Sequence, residues 1–325
     1  MARAGIASLT LFLLVLIAVT IGGVGEERFP HDPISIRSDD DFTTANGVVT
    51  GHGTLTDPYV IANWTIDAGT GIGIRIQGTS AHVLIRNCHV VGDSRRSIGV
   101  LLRDAAHVRV HRCAFTNLKT GLFIYQNPAA FVDENAFTDC RRGIEGTESD
   151  GLVITGNSVC GAREHGIFLW RCHEASLCGN ALSDCSNGIY LDSCHRDHLD
   201  GNRVERMDHG IFLWDCFDCT VVGNALHTCD LGLALVHTSE RNTVFHNAFF
   251  DNTRPATCDE TENRWDGGYP VGGNFWGEEG SVDEHSGPNQ DQPGSDGIAD
   301  TSILVPLGNV DRYPLISPPE ADGTG

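Results

Sequence analysis

At 325 residues the chain allows two ordinary domains or one extended repeat domain. Its 43 acidic against 22 basic residues leave a net charge of −21, and so acidic a surface repels phosphate backbones, which excludes nucleic acid as a partner. Aromatics make up only 7% and Met only 2 residues while Gly reaches 38, a composition for sheets and turns rather than for a bulky helical core.

Residues 1–25 read as a targeting segment. Arg3 precedes an uncharged stretch from Ala4 to Gly25 whose apolar core runs from Leu9 to Val19. A basic start and a short apolar run describe a secretion signal, and the stretch is also long enough, at ~20 residues, to stay in the membrane as an anchor. In both cases the body of the protein lies outside the cytoplasm, and contact with a membrane is limited to this segment. Asn63-Trp64-Thr65 is a glycosylation sequon that such a location permits.

Residues 26–72 do not share the pattern that follows and read as a cap, with Pro33–Ile36, a short helix around Asp39–Ala45, and Asp57–Ile61. From 73 to 250 the chain repeats. A glycine followed by apolar-x-apolar recurs at Gly73, Gly99, Gly121, Gly143, Gly166, Gly188, Gly210 and Gly232, in steps of 26, 22, 22, 23, 22, 22 and 22. Within each unit the period is two: Ile167 and Leu169 alternate with Phe168 and Trp170, as a strand with one buried face requires. A second marker follows each glycine at a nearly fixed distance, at Asn135, Asn157, Asn180, Asn202, Asn224 and Asn247.

Short strands with Gly and Asn at the corners, repeated every 22 residues, describe an all-β fold: a single-stranded parallel β-helix whose coils stack ~4.8 Å apart into a rod on the order of 50 Å long. Right-handed winding is expected of parallel crossovers. The corner Asn is expected to take the left-handed conformation and to bond through its amide to the same Asn one coil on. Sheet edges at both ends need covering. Residues 251–316 form the second cap, loop-rich and acidic, with Trp265 and Trp276; residues 258–325 hold 14 acids against Arg264 and Arg312 alone. Residues 317–325 read as a tail.

Both ends resemble one family. Asp41-Phe42, Gly51-His52-Gly53-Thr54 and Asp57-Pro58-Tyr59-Val60-Ile61 look like the N-terminal portion of secreted NosD-like proteins. Gly272-Gly273-Asn274-Phe275-Trp276, Asp296-Gly297-Ile298-Ala299-Asp300 and Asp311-Arg312-Tyr313-Pro314-Leu315 resemble their C-terminal portion. The resemblance runs from about Pro33 to Pro318. It implies a right-handed, pectin-lyase-like β-helix of the carbohydrate-binding and sugar-hydrolase type, abundant on archaeal cell surfaces. The family takes its name from a periplasmic factor in the maturation of the copper site of nitrous-oxide reductase; fold transfers with the resemblance more readily than that role.

Twelve cysteines outside the cytoplasm raise the question of disulfides. Eight fall in repeat slots: Cys172, Cys194 and Cys216 share one with Asn127, Ser149 and Thr238; Cys140, Cys185 and Cys229 share another with Leu118 and Met207; Cys88 and Cys113 stand where later coils have the ladder Asn. Packing explains them as small, weakly polar residues. File neighbours also lie close enough to pair, Cys88–Cys113 first, then Cys172–Cys194 or Cys194–Cys216.

Two metal readings compete with packing. Cys172-His173 and Cys194-His195 repeat one coil apart with Cys216 next in file, and thiolate with imidazole suits copper or zinc. Period-two geometry, however, sends neighbouring side chains to opposite faces. Asp291, Asp296 and Asp300 lie in a glycine-rich acidic loop that offers calcium oxygen donors.

The sharpest functional signal is an outward aromatic strip. Phe168, Tyr190 and Phe212 stack in one file of three successive coils, with Trp170, Asp192 and Trp214 beside them. Flat aromatics interleaved with carboxylate suit sugar rings, and a soluble protein seldom exposes such a patch without using it. Catalysis would need carboxylates ~5–9.5 Å apart; Asp192, His195 and Glu145 are the candidates, in no motif typical of lyases or epimerases. The sequence thus describes an exported β-helix that binds a polysaccharide or cell-envelope glycan. An enzyme that cleaves or epimerises polysaccharide is the alternative, and a copper-binding maturation factor the second alternative.

Overall fold

The computed structural model describes residues 27–277 and 281–319; the targeting segment and the end of the tail lie outside the described residues. Each pass of the chain lays one strand on each of three faces. Each strand pairs with its equivalent one pass later, giving three ten-stranded sheets. Pairing is parallel throughout these sheets except where Val48–Thr50 meets Tyr59–Ala62. Two faces carry strands of mostly three or four residues. The third, the long-strand sheet, carries Ile72–Thr79 and Ile98–Ala105, then Thr120–Tyr125, Arg142–Thr147, His165–Trp170, Asn187–Asp192, His209–Trp214 and Leu231–Val236. The predicted parallel solenoid is therefore the observed fold.

Register is set by the inward files. Ile167, Ile189 and Ile211 are Cα partners from coil to coil, as are Leu169, Leu191 and Leu213, and all six are fully buried. The repeating glycine beside them is not a corner residue, contrary to expectation. It sits inside the strand, where the next coil passes so close that a Cβ on Gly188 would lie 2.5 Å from the Gly210 carbonyl oxygen, and one on Gly210 2.5 Å from that of Gly232.

The left-handed corner is likewise displaced from the ladder asparagines. The residue before each one takes it: Glu134, Gly156, Gly179, Gly201, Gly223 and His246, with φ between 54° and 66°. The asparagine itself points inward and forms the predicted ladder. The Asn180 backbone N–H donates to Asn202 Oδ1 at 3.0 Å, and its Nδ2 donates to the same oxygen at 2.9 Å and to Ile154 O at 2.9 Å. Each buried amide thus satisfies peptide groups of its neighbours that the turn leaves unpaired. Asn202→Ala removes the acceptor of Asn180 and the donor to Leu177 O. At about 1–3 kcal/mol per orphaned group we expect a loss of about 3 kcal/mol, read as a lowered urea midpoint.

The solenoid reaches further at both ends than residues 73–250. Ile34–Ile36, Tyr59–Ala62 and Trp64–Asp67 pair with the first repeats. Arg254–Cys258 pairs with Leu231–Val236, and the amide ladders continue from Asn242 to Asn263 and from Asn247 to Asn274. The expected helix near Asp39 is two 3-10 turns, Asp39–Asp41 and Thr44–Asn46. In the second cap, fully buried Asp311 accepts from Asn274 N at 2.8 Å, Trp276 Nε1 at 2.8 Å and Tyr313 N at 3.1 Å. That one carboxylate ties two of the terminal motifs together, and Trp276 stacks on Phe249 at 4.8 Å to close the core.

Candidate functional site: the aromatic face of the long-strand sheet

Three files lie on the outer face of the long-strand sheet, two by alternation and one at the residue before each repeating glycine, where alternation skips a step because, as at Gly166 and Ile167, both residues face inward. The first is Thr120, Arg142, His165, Asn187 and His209; the second Phe123, Glu145, Phe168, Tyr190 and Phe212; the third Tyr125, Thr147, Trp170, Asp192 and Trp214. The last two contain the predicted strip and are assembled as the periodicity indicated. Phe168 and Tyr190 centroids are 5.6 Å apart and tilted; Tyr190 and Phe212 are 5.0 Å apart and nearly parallel. The aromatics are half-buried by one another, with Trp214 the most open at 37% exposure. Arg171 lies over Trp170 at 4.5 Å, and His237 meets Trp214 at 4.4 Å.

The first file was missed, although its signal, the residue before each repeating glycine, is readable. His165 packs on Phe168 and Tyr190 at 4.9 and 5.2 Å, with Nδ1 buried and without a hydrogen-bond partner. Burial, aided by Arg142, pulls its pKa down to about 4, so the ring is neutral at physiological pH. His209 Nδ1 lies 2.8 Å from Asn187 Oδ1.

The catalytic candidates are separated. Glu145 is held by Arg142 at 2.6 Å and Thr120 at 3.2 Å. Asp192 accepts from Ser193 Oγ at 2.8 Å and stands between the two tryptophans. His195 lies around the corner, bridged to His173 and Phe217 on the adjoining turn and stacked on Phe217 at 5.1 Å.

The metal candidates part in the same way. Cys172, Cys194 and Cys216 are fully buried inside the solenoid, while the His173 and His195 rings meet on the outside, tilted, with centroids 4.7 Å apart. Each thiol donates to the carbonyl two residues back: Trp170 O at 3.5 Å, Asp192 O at 3.3 Å and Trp214 O at 3.3 Å. Cys140, Cys185, Cys219 and Cys229 do the same. Burial raises these thiols, Cys140 to about 11 and Cys185 to about 12. With the sulfurs inside and the imidazoles outside, the Cys-His pairs do not meet at one ion, and the cysteine files fit hydrogen-bonded packing. All twelve cysteines are free, Cys88–Cys113 included. Their slots hold as read except Thr238, which is exposed; Ser239 takes the place, accepting from Cys216 N at 3.0 Å.

In the acidic cap, Asp300 accepts from Glu284 N and His285 N, Asp296 from Ile298 N at 3.1 Å, and Asp291 joins neither. Among the described residues the only trio of ligand atoms within 4.8 Å of one another is His111, Asp133 and Glu134, so the calcium set is not gathered to a point. In that trio Arg109 already grips Asp133 with two bonds of 2.9 and 2.7 Å, a cation in the place a metal would take.

The fold and this face define a parallel β-solenoid with a lateral aromatic platform. Residues 46–280 match the family described as periplasmic copper-binding protein (NosD), and the chain belongs to that family. None of the curated proteins matches it significantly in sequence. Among solved structures it is similar to Geobacillus virus E2 ORF18 (11% identity, TM-score 0.50, covering 80% of this chain and 60% of that one). It is also similar to the enzymatically active domain of bacteriophage CBA120 tailspike protein 2 (12%, 0.50, 87% and 46%) and to the periplasmic alginate epimerase AlgG (13%, 0.44, 61% and 60%). The chain thus spans about half to three fifths of the length of those proteins, and the likeness is one of fold.

Proposed function

We propose that this chain is an extracytoplasmic solenoid of the NosD family that binds a polysaccharide or cell-envelope glycan on the aromatic face of its long-strand sheet, without transforming it. The family's periplasmic description and the apolar leader support the location. The observation that carries the binding reading is the in-register stack of Phe168, Tyr190 and Phe212 beside Trp170, Asp192 and Trp214. It is a half-open apolar surface with a carboxylate at its centre, the pairing a sugar's apolar face and hydroxyls call for. Against catalysis stand Glu145, neutralised by Arg142, and His195, turned away from Asp192.

A glycan array with the native chain tests this. Binding should fall at least tenfold, about 1.4 kcal/mol, in Trp214→Ala, with the melting curve unchanged. Retained binding in both Trp170→Ala and Trp214→Ala would move the site elsewhere. New reducing ends or unsaturated products on incubation with a bound glycan would replace binding by catalysis.

A further inference from the structure

We infer that the platform selects an extended, uncharged polysaccharide of the ribbon-forming β-1,4 type, lying along the solenoid axis with one sugar per coil. This rests on the saccharide-binding reading and narrows it. Trp170, Asp192 and Trp214 are Cα partners in register, so they are spaced by one coil step of ~4.8 Å, about the length of one extended pyranose. In a β-1,4 ribbon each ring is turned over relative to the last, so alternate rings present the same face. A file that reads aromatic, carboxylate, aromatic meets such a chain in phase: Trp170 and Trp214 stack on the first and third rings, and Asp192 accepts from hydroxyls of the second. Among the described residues, the Asp192 oxygen not taken by Ser193 has no hydrogen-bond partner. A coiled α-linked chain leaves this straight line within a few rings.

Charge argues against a polyuronate. Arg142, over the Phe168 ring at 5.5 Å, is tied to Glu145 at 2.6 Å and Glu164 at 2.8 Å, and Arg103 is paired with Asp104 at 3.4 Å. Arg171 is spread over the Trp170 ring. The Asp192 carboxylate, in a chain of net charge −21, would face the uronate group of the second ring. Because Arg171 covers Trp170, a ligand there exchanges one contact for another. Trp214 is the freer platform, and its loss should cost more.

Calorimetry with oligomers of one to six units tests this on four neutral β-1,4 series (glucose, mannose, xylose, N-acetylglucosamine), with maltohexaose and hexagalacturonate as counter-ligands. The expected result is that one neutral β-1,4 series binds, its affinity rising at least tenfold from the monomer to the trimer and exceeding both counter-ligands at least tenfold. Asp192→Asn should narrow the margin over hexagalacturonate. Maltohexaose or hexagalacturonate binding as tightly as the best β-1,4 hexamer, with loss in Trp214→Ala, would overturn the selectivity and leave saccharide binding standing. Silence from every glycan here and on the array would overturn both.

Discussion

Asp197→Asn is expected to stabilise the solenoid by on the order of 4 kcal/mol at pH 8 and by almost nothing at pH 3.5. Asp197 is the one carboxylate in an inward corner file that otherwise reads Ala175, Cys219, Asn242 and Asn263. It is 1% exposed, with Oδ1 taking the Ala175 N–H at 2.7 Å and Oδ2 3.8 Å from the Cys219 thiol. Among the described residues no cation forms an ion pair with it. Burial raises its pKa to about 7, against the partial relief of the Ala175 N–H and the Cys219 thiol. In the unfolded chain the same group ionises near 3.9. Between those values the unfolded state gives up its proton while the folded state keeps it, so the wild type loses stability as pH rises from about 4 to about 7 and levels off beyond. Asparagine cannot ionise, and Asn242 already shows the position accepting an amide, which donates to Cys216 O at 2.9 Å. Urea denaturation of both proteins at the two pH values gives the difference; a gap independent of pH would show that Asp197 ionises normally in the folded chain.

Gly188→Ala is the other large effect. The added Cβ would meet the Gly210 carbonyl oxygen at 2.5 Å and Val204 Cγ1 at 2.8 Å. A carbonyl in a ladder cannot step aside without breaking the pairing of Asn187–Asp192 with His209–Trp214. Overpacking costs about 1–3 kcal/mol where side chains can adjust; here backbone must move, and a loss of 3 kcal/mol or more is expected, with melting lowered and the coils on either side exchanging amide protons faster. Gly179→Ala is the contrast. It is a left-handed corner with φ of 61° and nothing near its Cβ, so only the conformational penalty of about 1 kcal/mol applies. Equal losses at the two sites would mean that the close approach at Gly188 is not what fixes the glycine.

These two sites show what a single sequence reveals of such a fold. A period of two inside a period of 22 determines both which side chains face out and which share a file, so the aromatic face and the asparagine ladder could be read before any coordinates. The reason for each repeating residue could not. Gly188 looked like a corner because glycine usually signals one, whereas its task is to let two backbones touch, a contact across 22 residues that local pattern does not express. The cysteine slots were legible, but the S–H donation to the carbonyl two residues back depends on the corner's curvature. Counting also drifts wherever a corner holds an extra residue, which is why Ser239 rather than Thr238 continues the file of Cys216. His165 escaped because the period of two breaks at the glycine: Gly166 and Ile167 both face inward, so the residue before them, with which the strand begins, faces out.

The extra residues have a common address. The extra residue of the 23-residue step falls between Cys160 and His165; of the four in the 26-residue step, three fall between Val91 and Ile98 and one between Thr79 and Val83, all outside the strands. A coil is therefore a cassette with standard connectors: its ladder contacts are the same above and below, and irregular length is absorbed at the bends. Copying one coil in tandem leaves the contacts of both caps unchanged and lengthens the platform by one step. Excising residues 187–208 would seat His165–Trp170 directly against His209–Trp214 and bring the two tryptophans side by side. Over evolutionary time the reach of this surface can change only in whole coils, by gain or loss of repeats, while its chemistry changes residue by residue within them.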